Sequence, residues 1–264
     1  MSALLEQEVA DYTRARERLA AGIRAFADWQ DQYQGIDLER NLRLIEIADT
    51  LQQDRLTLAF VAEFSRGKTE LINALFFADL GVRLLPSDAG RTTMCPTELH
   101  YDPADTPSLR LLPIETRLRA ESLGRLKRDP IEWVRVELDP GDPQQMQSAL
   151  RKLTETRRVP QGEAAALGLF DSQDETMRHR ADASGLIEVP AWRYALVNLP
   201  HPMLKAGLAI LDTPGLNALG AEPELTLSSI PGAHAVLFLL ATDAGVTRTD
   251  LEIWQRHVHR HVNY

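Results

Sequence analysis

Residues 62–69, Ala-Glu-Phe-Ser-Arg-Gly-Lys-Thr, follow the apolar run Leu56-Thr57-Leu58-Ala59-Phe60-Val61 and precede Glu70-Leu71-Ile72-Asn73-Ala74-Leu75. That order predicts a strand, a tight loop and a helix start. In such a setting backbone N–H groups can wrap a phosphate, and the free amides of the first helical turn add positive potential. Ala62, Glu63, Phe64, Ser65, Arg66 and Gly67 would form the cradle. Lys68 would neutralise the β- and γ-phosphates of a nucleotide, and the Thr69 hydroxyl would ligate Mg²⁺. The pattern usually opens on Gly, whereas here it opens on Ala62. A Cβ at that point is tolerated unless φ is positive, so the motif is weakened rather than voided. The competing reading is an ordinary strand-to-helix turn with a chance Gly-Lys pair.

A second motif lies far along the chain, where Leu208-Ala209-Ile210-Leu211 runs into Asp212-Thr213-Pro214-Gly215-Leu216. An apolar strand ending in Asp212 is the place for a second Mg²⁺ anchor. A Gly three residues later, Gly215, can offer its N–H to a γ-phosphate with no side chain in the way. By itself the segment also reads as a buried strand closed by a Thr-Pro-Gly turn. Between the two motifs lies Leu84-Leu85-Pro86-Ser87-Asp88-Ala89-Gly90-Arg91-Thr92-Thr93-Met94-Cys95-Pro96-Thr97. A Thr in a Gly-containing loop there can close over the γ-phosphate, its hydroxyl reaching Mg²⁺ and its backbone orienting the attacking water. Loss of the γ-phosphate would release the segment, which makes it a switch.

Together the three segments resemble the dynamin superfamily of large GTPases, particularly its bacterial members. The resemblance rests on Glu63-Phe64-Ser65-Arg66-Gly67-Lys68-Thr69-Glu70-Leu71-Ile72-Asn73-Ala74-Leu75, on Leu85-Pro86 with Thr92-Thr93-x-x-Pro96-Thr97, and on Asp212-Thr213-Pro214-Gly215-Leu216. It implies an α/β P-loop NTPase domain of three layers with a mostly parallel central sheet over residues 56–264. An N-terminal helical pair over residues 1–55 would precede it. The resemblance also implies GTP as substrate, Mg²⁺ as cofactor, and a catalytic set of Ser65, Lys68, Thr93 and Gly215. The metal would be held by Thr69, Thr93 and Asp212. Thr93 rather than Thr92 is the switch residue, because in the family the switch Thr lies three residues before a Pro, here Pro96. Arg66 would either bring charge to the phosphates, within the chain or across a dimer, or be a solvated loop residue.

Composition narrows the remaining classes. With 44% hydrophobic and 25% charged residues in 264, the chain can bury one large domain plus an extension. A net charge of −9 speaks against nucleic acid as a partner and against this part of the chain lying on an anionic membrane. A single cysteine, Cys95, excludes an internal disulfide and suits a reducing cytoplasm. It falls inside the switch, where it is either a redox modulator or a reduced bystander. No stretch reaches the ~20 apolar residues a membrane-spanning helix needs. The start Met1-Ser2-Ala3-Leu4-Leu5-Glu6-Gln7-Glu8 lacks the pattern of a signal peptide. The expected location is cytoplasmic, with peripheral contact at the inner face of a membrane through parts beyond this chain.

Helical spacing of apolar residues predicts helices over 3–31 and 37–54, broken at Gln34-Gly35-Ile36-Asp37 with Asp37 as cap. The resemblance makes this pair an element of a helical bundle; a pair simply packed on the core is the alternative. Strands are expected at 97–101, 109–112, 133–138, 194–199, 207–211 and 235–241, the last as a buried parallel strand. The charged tract 115–128 reads as helical. Asp139-Pro140-Gly141-Asp142-Pro143 should open a helix over 144–157, and Thr249 or Asp250 the last one. Residues 158–185 show weak periodicity and read as a mobile insert. His257 and His261 are four apart and could share a helix face as metal ligands, against the simpler reading of a solvated helix end.

The guanine-reading Asn/Thr-Lys-x-Asp motif of such GTPases is not found in the 264 residues. GTP over ATP therefore rests on the resemblance. The chain ends at Tyr264, where the strand bearing that motif would begin, so the expectation is an N-terminal piece of a longer protein, lacking the C-terminal strands of the fold. Its last strand would be an uncovered apolar edge, and residues 1–264 alone should be poorly soluble or self-associate. Two functions stay open. One is a GTP-hydrolysing dynamin-like protein that couples nucleotide-dependent dimerisation to self-assembly and membrane remodelling. The other is a nucleotide-gated scaffold that hydrolyses slowly, to which Ala62 and the long insert between Tyr101 and Gly207 give some support. Turnover that rises with protein concentration or on lipid separates them.

Overall fold

A computed structural model describes residues 3–33, 44–45, 47–48, 51, 55–63, 66–88, 91–92, 94–119, 121, 123–171, 177, 181–214, 233–242 and 245–255. The chain divides into two units, Met1–Arg55 and Leu56–Tyr264. In the first, α1 (Ala3–Tyr33) follows the predicted helix closely. Ala20 and Ala27, seven residues apart, are buried on one face, and Ala48 of the following helical residues is buried too. Small side chains at that interval permit close approach. Leu19, Phe26 and Trp29 stay exposed, with the Phe26 and Trp29 rings stacked at 6.0 Å. The break at 34–37 and its Asp37 cap lie outside the described residues.

The second unit is built on a seven-stranded sheet ordered β11-β1-β10-β4-β9-β5-β6. Its strands are β1 (Leu56–Ala62), β4 (Thr97–His100), β5 (Ser108–Pro113), β6 (Val134–Glu137), β9 (Trp192–Asn198), β10 (Leu208–Asp212) and β11 (Ala235–Leu239). β1 pairs in parallel with β10 and β11, and β4 with β9; β10–β4, β9–β5 and β5–β6 are antiparallel. The sheet is thus mixed, not mostly parallel. The parallel part surrounds β1, and the antiparallel pairs bring in β4 and the β5–β6 pair.

Alternation along the strands sends side chains to two cores. Phe60, Leu99, Leu109, Leu111, Ala195, Val197 and Ile210 meet three helices on one face. These are α2 (Lys68–Phe76, through Ile72 and Phe76), α4 (Pro143–Leu150, through Met146, Ala149 and Leu150) and α6 (Pro202–Lys205, through Leu204). Ala59, Val61, Leu112, Tyr194, Leu196 and Leu211 face the other way, against Leu126 of α3 (Leu123–Arg128) and Trp133. The tract at 115–128 is helical only in pieces, a 3₁₀ stretch at Ile114–Leu118 and then α3.

Several expectations need correction. The helix opened by Asp142, whose side chain accepts from the amides of Gln144 and Gln145, ends at Leu150 rather than 157. The chain tightens to 3₁₀ at Arg151–Thr154 and enters β7 (Thr156–Pro160), which pairs antiparallel with β8 (Leu186–Pro190). Residues 158–185 are therefore not simply a mobile insert. β7, α5 (Gln161–Ala166) and β8 enclose their own core of Val159, Ala164, Leu167, Leu169, Ile187 and Val189. β11 does pair in parallel with β1, but at the sheet edge and half-exposed rather than buried, with Leu237 39% exposed. Thr247 caps the last helix, α7 (Arg248–Ile253), in a reciprocal capping box with Asp250.

Beneath β4 sits a polar cluster in the second core. The Lys127 amine donates to Glu98 Oε2 at 2.7 Å and to the Tyr194 hydroxyl oxygen at 3.1 Å, and the Tyr194 hydroxyl donates to the same carboxylate at 3.0 Å. The amine also lies 4.4 Å from the Tyr194 ring centroid. Burial alone would raise the Glu98 pKa, but the charge of Lys127 and the hydrogen bonds from Lys127 and Tyr194 outweigh it and hold the carboxyl at about 2. A folded-state pKa below the unfolded value adds stability that is present above about pH 4.5 and lost as pH falls toward about 2. Glu98→Gln should therefore lower the urea midpoint at neutral pH and flatten its decline across that acid window. An equally steep decline in the variant would exclude Glu98 as the titrating group.

Candidate functional site

β1 delivers the loop and α2 receives it. Gly67, the residue before α2, has φ 75°, a left-handed conformation that an L side chain rarely adopts. A Cβ built there meets nothing within 4 Å, so backbone conformation rather than space demands glycine. α2 then begins at Lys68, and the Leu71 amide closes its first turn on the Gly67 carbonyl at 2.9 Å.

Parallel pairing sets Phe60 of β1 beside Asp212 at the end of β10. This register brings the two sequence motifs together. The Lys68 amine donates to Asp212 Oδ1 at 2.7 Å and the Thr69 hydroxyl to Asp212 Oδ2 at 3.1 Å. Lys68 and Thr69 are each 7% exposed and Asp212 is fully buried. Thr213 turns inward, its hydroxyl donating to the Phe60 carbonyl at 2.7 Å, which ties the Asp-Thr-Pro segment to β1. The hydroxyl of Thr69 and the carboxylate of Asp212 are the hard oxygen donors Mg²⁺ prefers, and they are already adjacent. The chemistry and placement of these donors fit the ion.

The structure places the other predicted residues unevenly. Ala62 is fully buried at the end of β1. Glu63 and Arg66 form an ion pair at 2.5 Å with both side chains largely covered, so Arg66 is not a solvated loop residue. Pro214 is buried. Phe64, Ser65, Thr93 and Gly215 lie outside the described residues, as do His257 and His261. Among the described residues no cluster of His, Cys, Asp or Glu has the makings of a further metal site. No helix among them is long and apolar enough to cross a membrane.

Cys95 is fully enclosed. Burial pushes its thiol up to about 12, the negative charge of Asp212 adds to the rise, and a hydrogen bond with Thr97 pulls against it. The reactive thiolate is thus suppressed, which favours the bystander reading.

Sequence reasoning missed a set of contacts from α2 to the segment 83–87 that follows it. Asn73, 5% exposed, receives the Leu85 amide at 2.8 Å and donates to the Leu85 carbonyl at 2.8 Å. Glu70 accepts from the Ser87 hydroxyl at 2.7 Å and from Arg83 at 3.0 Å. The available signal was a polar Asn73 set between the core-facing Ile72 and Phe76.

A phosphate-loop strand and helix beside an Asp-ending parallel strand define a P-loop nucleotide-binding fold with a mixed α/β sheet. The chain belongs to the dynamin family, whose N-terminal domain model matches residues 58–263. It is 29% identical over 206 residues to a bacterial dynamin-like protein of Nostoc punctiforme, covering 78% of this chain and 23% of that protein. It is 37% identical over 97 residues to the isoniazid-induced protein IniA of Mycobacterium tuberculosis, covering 36% of this chain and 14% of that one. The chain thus spans less than a quarter of the length of these relatives. A solved chain from an oligomerised bacterial dynamin pair aligns with 97% of this chain and 33% of its own, at 16% identity and a TM-score of 0.44. The family assignment rests on the domain match and not on that likeness.

Proposed function

We propose that this protein binds and hydrolyses GTP with Mg²⁺, at the loop 62–69 and Asp212. The observation that supports it most is the convergence of Lys68, Thr69 and Asp212 at the start of α2, behind a left-handed Gly67. Lys68 would leave Asp212 for the β- and γ-phosphates, and the α2 amides would hold the phosphate oxygens. Thr69, Asp212 and Thr93 would hold Mg²⁺, which supplies positive charge against the phosphates. Thr93 and Gly215 would sense the γ-phosphate, while Ser65 helps place the attacking water. Phosphoryl transfer needs little covalent help, so positioning and charge neutralisation carry the rate.

The assembly half of the proposal rests on family membership. Hydrolysis would be coupled to self-association through the GTPase domain, in the cytoplasm, with peripheral membrane contact made by other parts of the protein and no role for nucleic acid. The test is equilibrium binding of fluorescent GTP and ATP analogues with Mg²⁺, with Lys68→Ala as blank. GTP bound well above ATP, and lost in the variant, is the expected result. Equal affinity for the two bases would overturn the guanine assignment, and wild-type binding of neither would overturn nucleotide binding itself.

A further inference from the structure

The contacts from α2 to the segment 83–87 have no part in the roles assigned above, although they join the two halves of the site. The segment following α2 is tethered at its start by Asn73 to both backbone groups of Leu85, and by Glu70 to Ser87 and Arg83. Gln147 of α4 adds a third hold, its amide nitrogen donating to the Arg83 carbonyl at 2.9 Å. The far end is tied as well, the Met94 amide donating to the Leu153 carbonyl at 3.2 Å. Between these anchors lie residues 88–93. Ser87–Asp88 (β2) and Arg91–Thr92 (β3) pair as a short hairpin across this stretch, with Ser87 opposite Thr92, the neighbour of Thr93.

The route is short. Thr69, the proposed metal ligand, is followed by Glu70; Glu70 holds Ser87; Ser87 stands opposite Thr92; and Thr93 comes next. One turn further along α2, Asn73 clamps Leu85, itself fully buried, so the hairpin springs from a point fixed to the phosphate-binding helix. A bidentate side-chain clamp on a buried backbone amide and carbonyl is costly to break, because both groups would be left without partners.

We infer that Asn73 and Glu70 are positioning residues, which fix the base of the switch hairpin to the phosphate-binding helix so that Thr93 reaches the γ-phosphate side of the site. This rests on the GTP-hydrolysing function proposed above. Their action is on the switch and not on the phosphate loop, so they set turnover and not the affinity for a diphosphate.

The test compares Asn73→Ala, Glu70→Ala, Ser87→Ala and Glu70→Gln with wild type for kcat, for KM with GTP and for the Kd of GDP. The first three should lower kcat by about tenfold or more, with GDP affinity kept within about twofold. Glu70→Gln retains an oxygen to accept from Ser87 and should recover most of the rate, which a merely structural role of the charge would not give. Should Asn73→Ala fail to fold, Ser87→Ala, which deletes only a half-buried hydroxyl, and Glu70→Ala decide. Folded variants that hydrolyse at the wild-type rate would overturn the inference, as would kcat and GDP affinity falling in parallel. A wild-type protein that binds no guanine nucleotide overturns the proposed function and this inference with it. Wild-type turnover with unaffected variants overturns the inference alone.

Discussion

Lys68→Ala is expected to raise the dissociation constant for GTP by about a hundredfold or more, and that for GDP by about tenfold or more. The lysine sits at the first position of α2 with only 7% of its surface exposed, so its stem is fixed and its amine can move over a short arc only. Charge-assisted hydrogen bonds contribute about 1.5–3 kcal/mol each, and every ~1.4 kcal/mol is tenfold in affinity. Loss of one contact to each of the β- and γ-phosphates accounts for the effect on GTP, and loss of the β-phosphate contact alone for the smaller effect on GDP. A second consequence follows from the 2.7 Å pair with Asp212. Removing one partner of a buried ion pair costs about 3–5 kcal/mol, because the remaining charge stays in the interior. The variant should be less stable with or without nucleotide. Adding Asp212→Asn removes the stranded charge, so the double variant should regain urea resistance while still failing to bind. Titration with a fluorescent nucleotide and urea denaturation measure the two effects separately. Wild-type GDP affinity in the single variant would mean that the phosphates bind elsewhere.

How the sequence yielded this site, and where it did not, depends on the range of each interaction. The strand, loop and helix at 56–76 were legible because each step is local: an apolar run, a glycine at a position of positive φ, and an amphipathic helix. β10 was legible for the same reason, as Leu208-Ala209-Ile210-Leu211 ending in Asp212. The register that puts Phe60 beside Asp212 was not, since parallel pairing between residues about 150 apart leaves no mark in either strand. The β7–β8 pair was missed on similar grounds. Its inward residues Val159, Ile187 and Val189 are few, and its strands join across a helix and a polar tract. At Arg151-Lys152-Leu153 good helix formers yield to tertiary structure, the chain tightening before it pairs with β8. The Asn73 clamp was hidden more deeply still, because its partner is the backbone of Leu85, which any residue would offer.

Thr93→Ala is expected to abolish turnover, with kcat lower by about a hundredfold or more, while GDP affinity stays within about threefold of wild type. The asymmetry follows from where the residue acts. In the proposed function the Thr93 hydroxyl and backbone engage the γ-phosphate side of the site, and GDP has no γ-phosphate to lose contact with. An interaction made only on the way to the transition state shows in kcat and not in ground-state binding. Thr92→Ala provides the control. Thr92 pairs opposite Ser87 in the hairpin, and the proposed function gives the γ-phosphate contact to Thr93 alone. The Thr92 variant should therefore keep most of its rate. Single-turnover hydrolysis at saturating GTP, with GDP binding measured in parallel, separates chemistry from affinity. If Thr92→Ala loses hydrolysis and Thr93→Ala keeps it, the switch assignment is displaced by one residue while the tether at Glu70, Asn73 and Ser87 stands, because those contacts hold the base of the hairpin whichever threonine it presents.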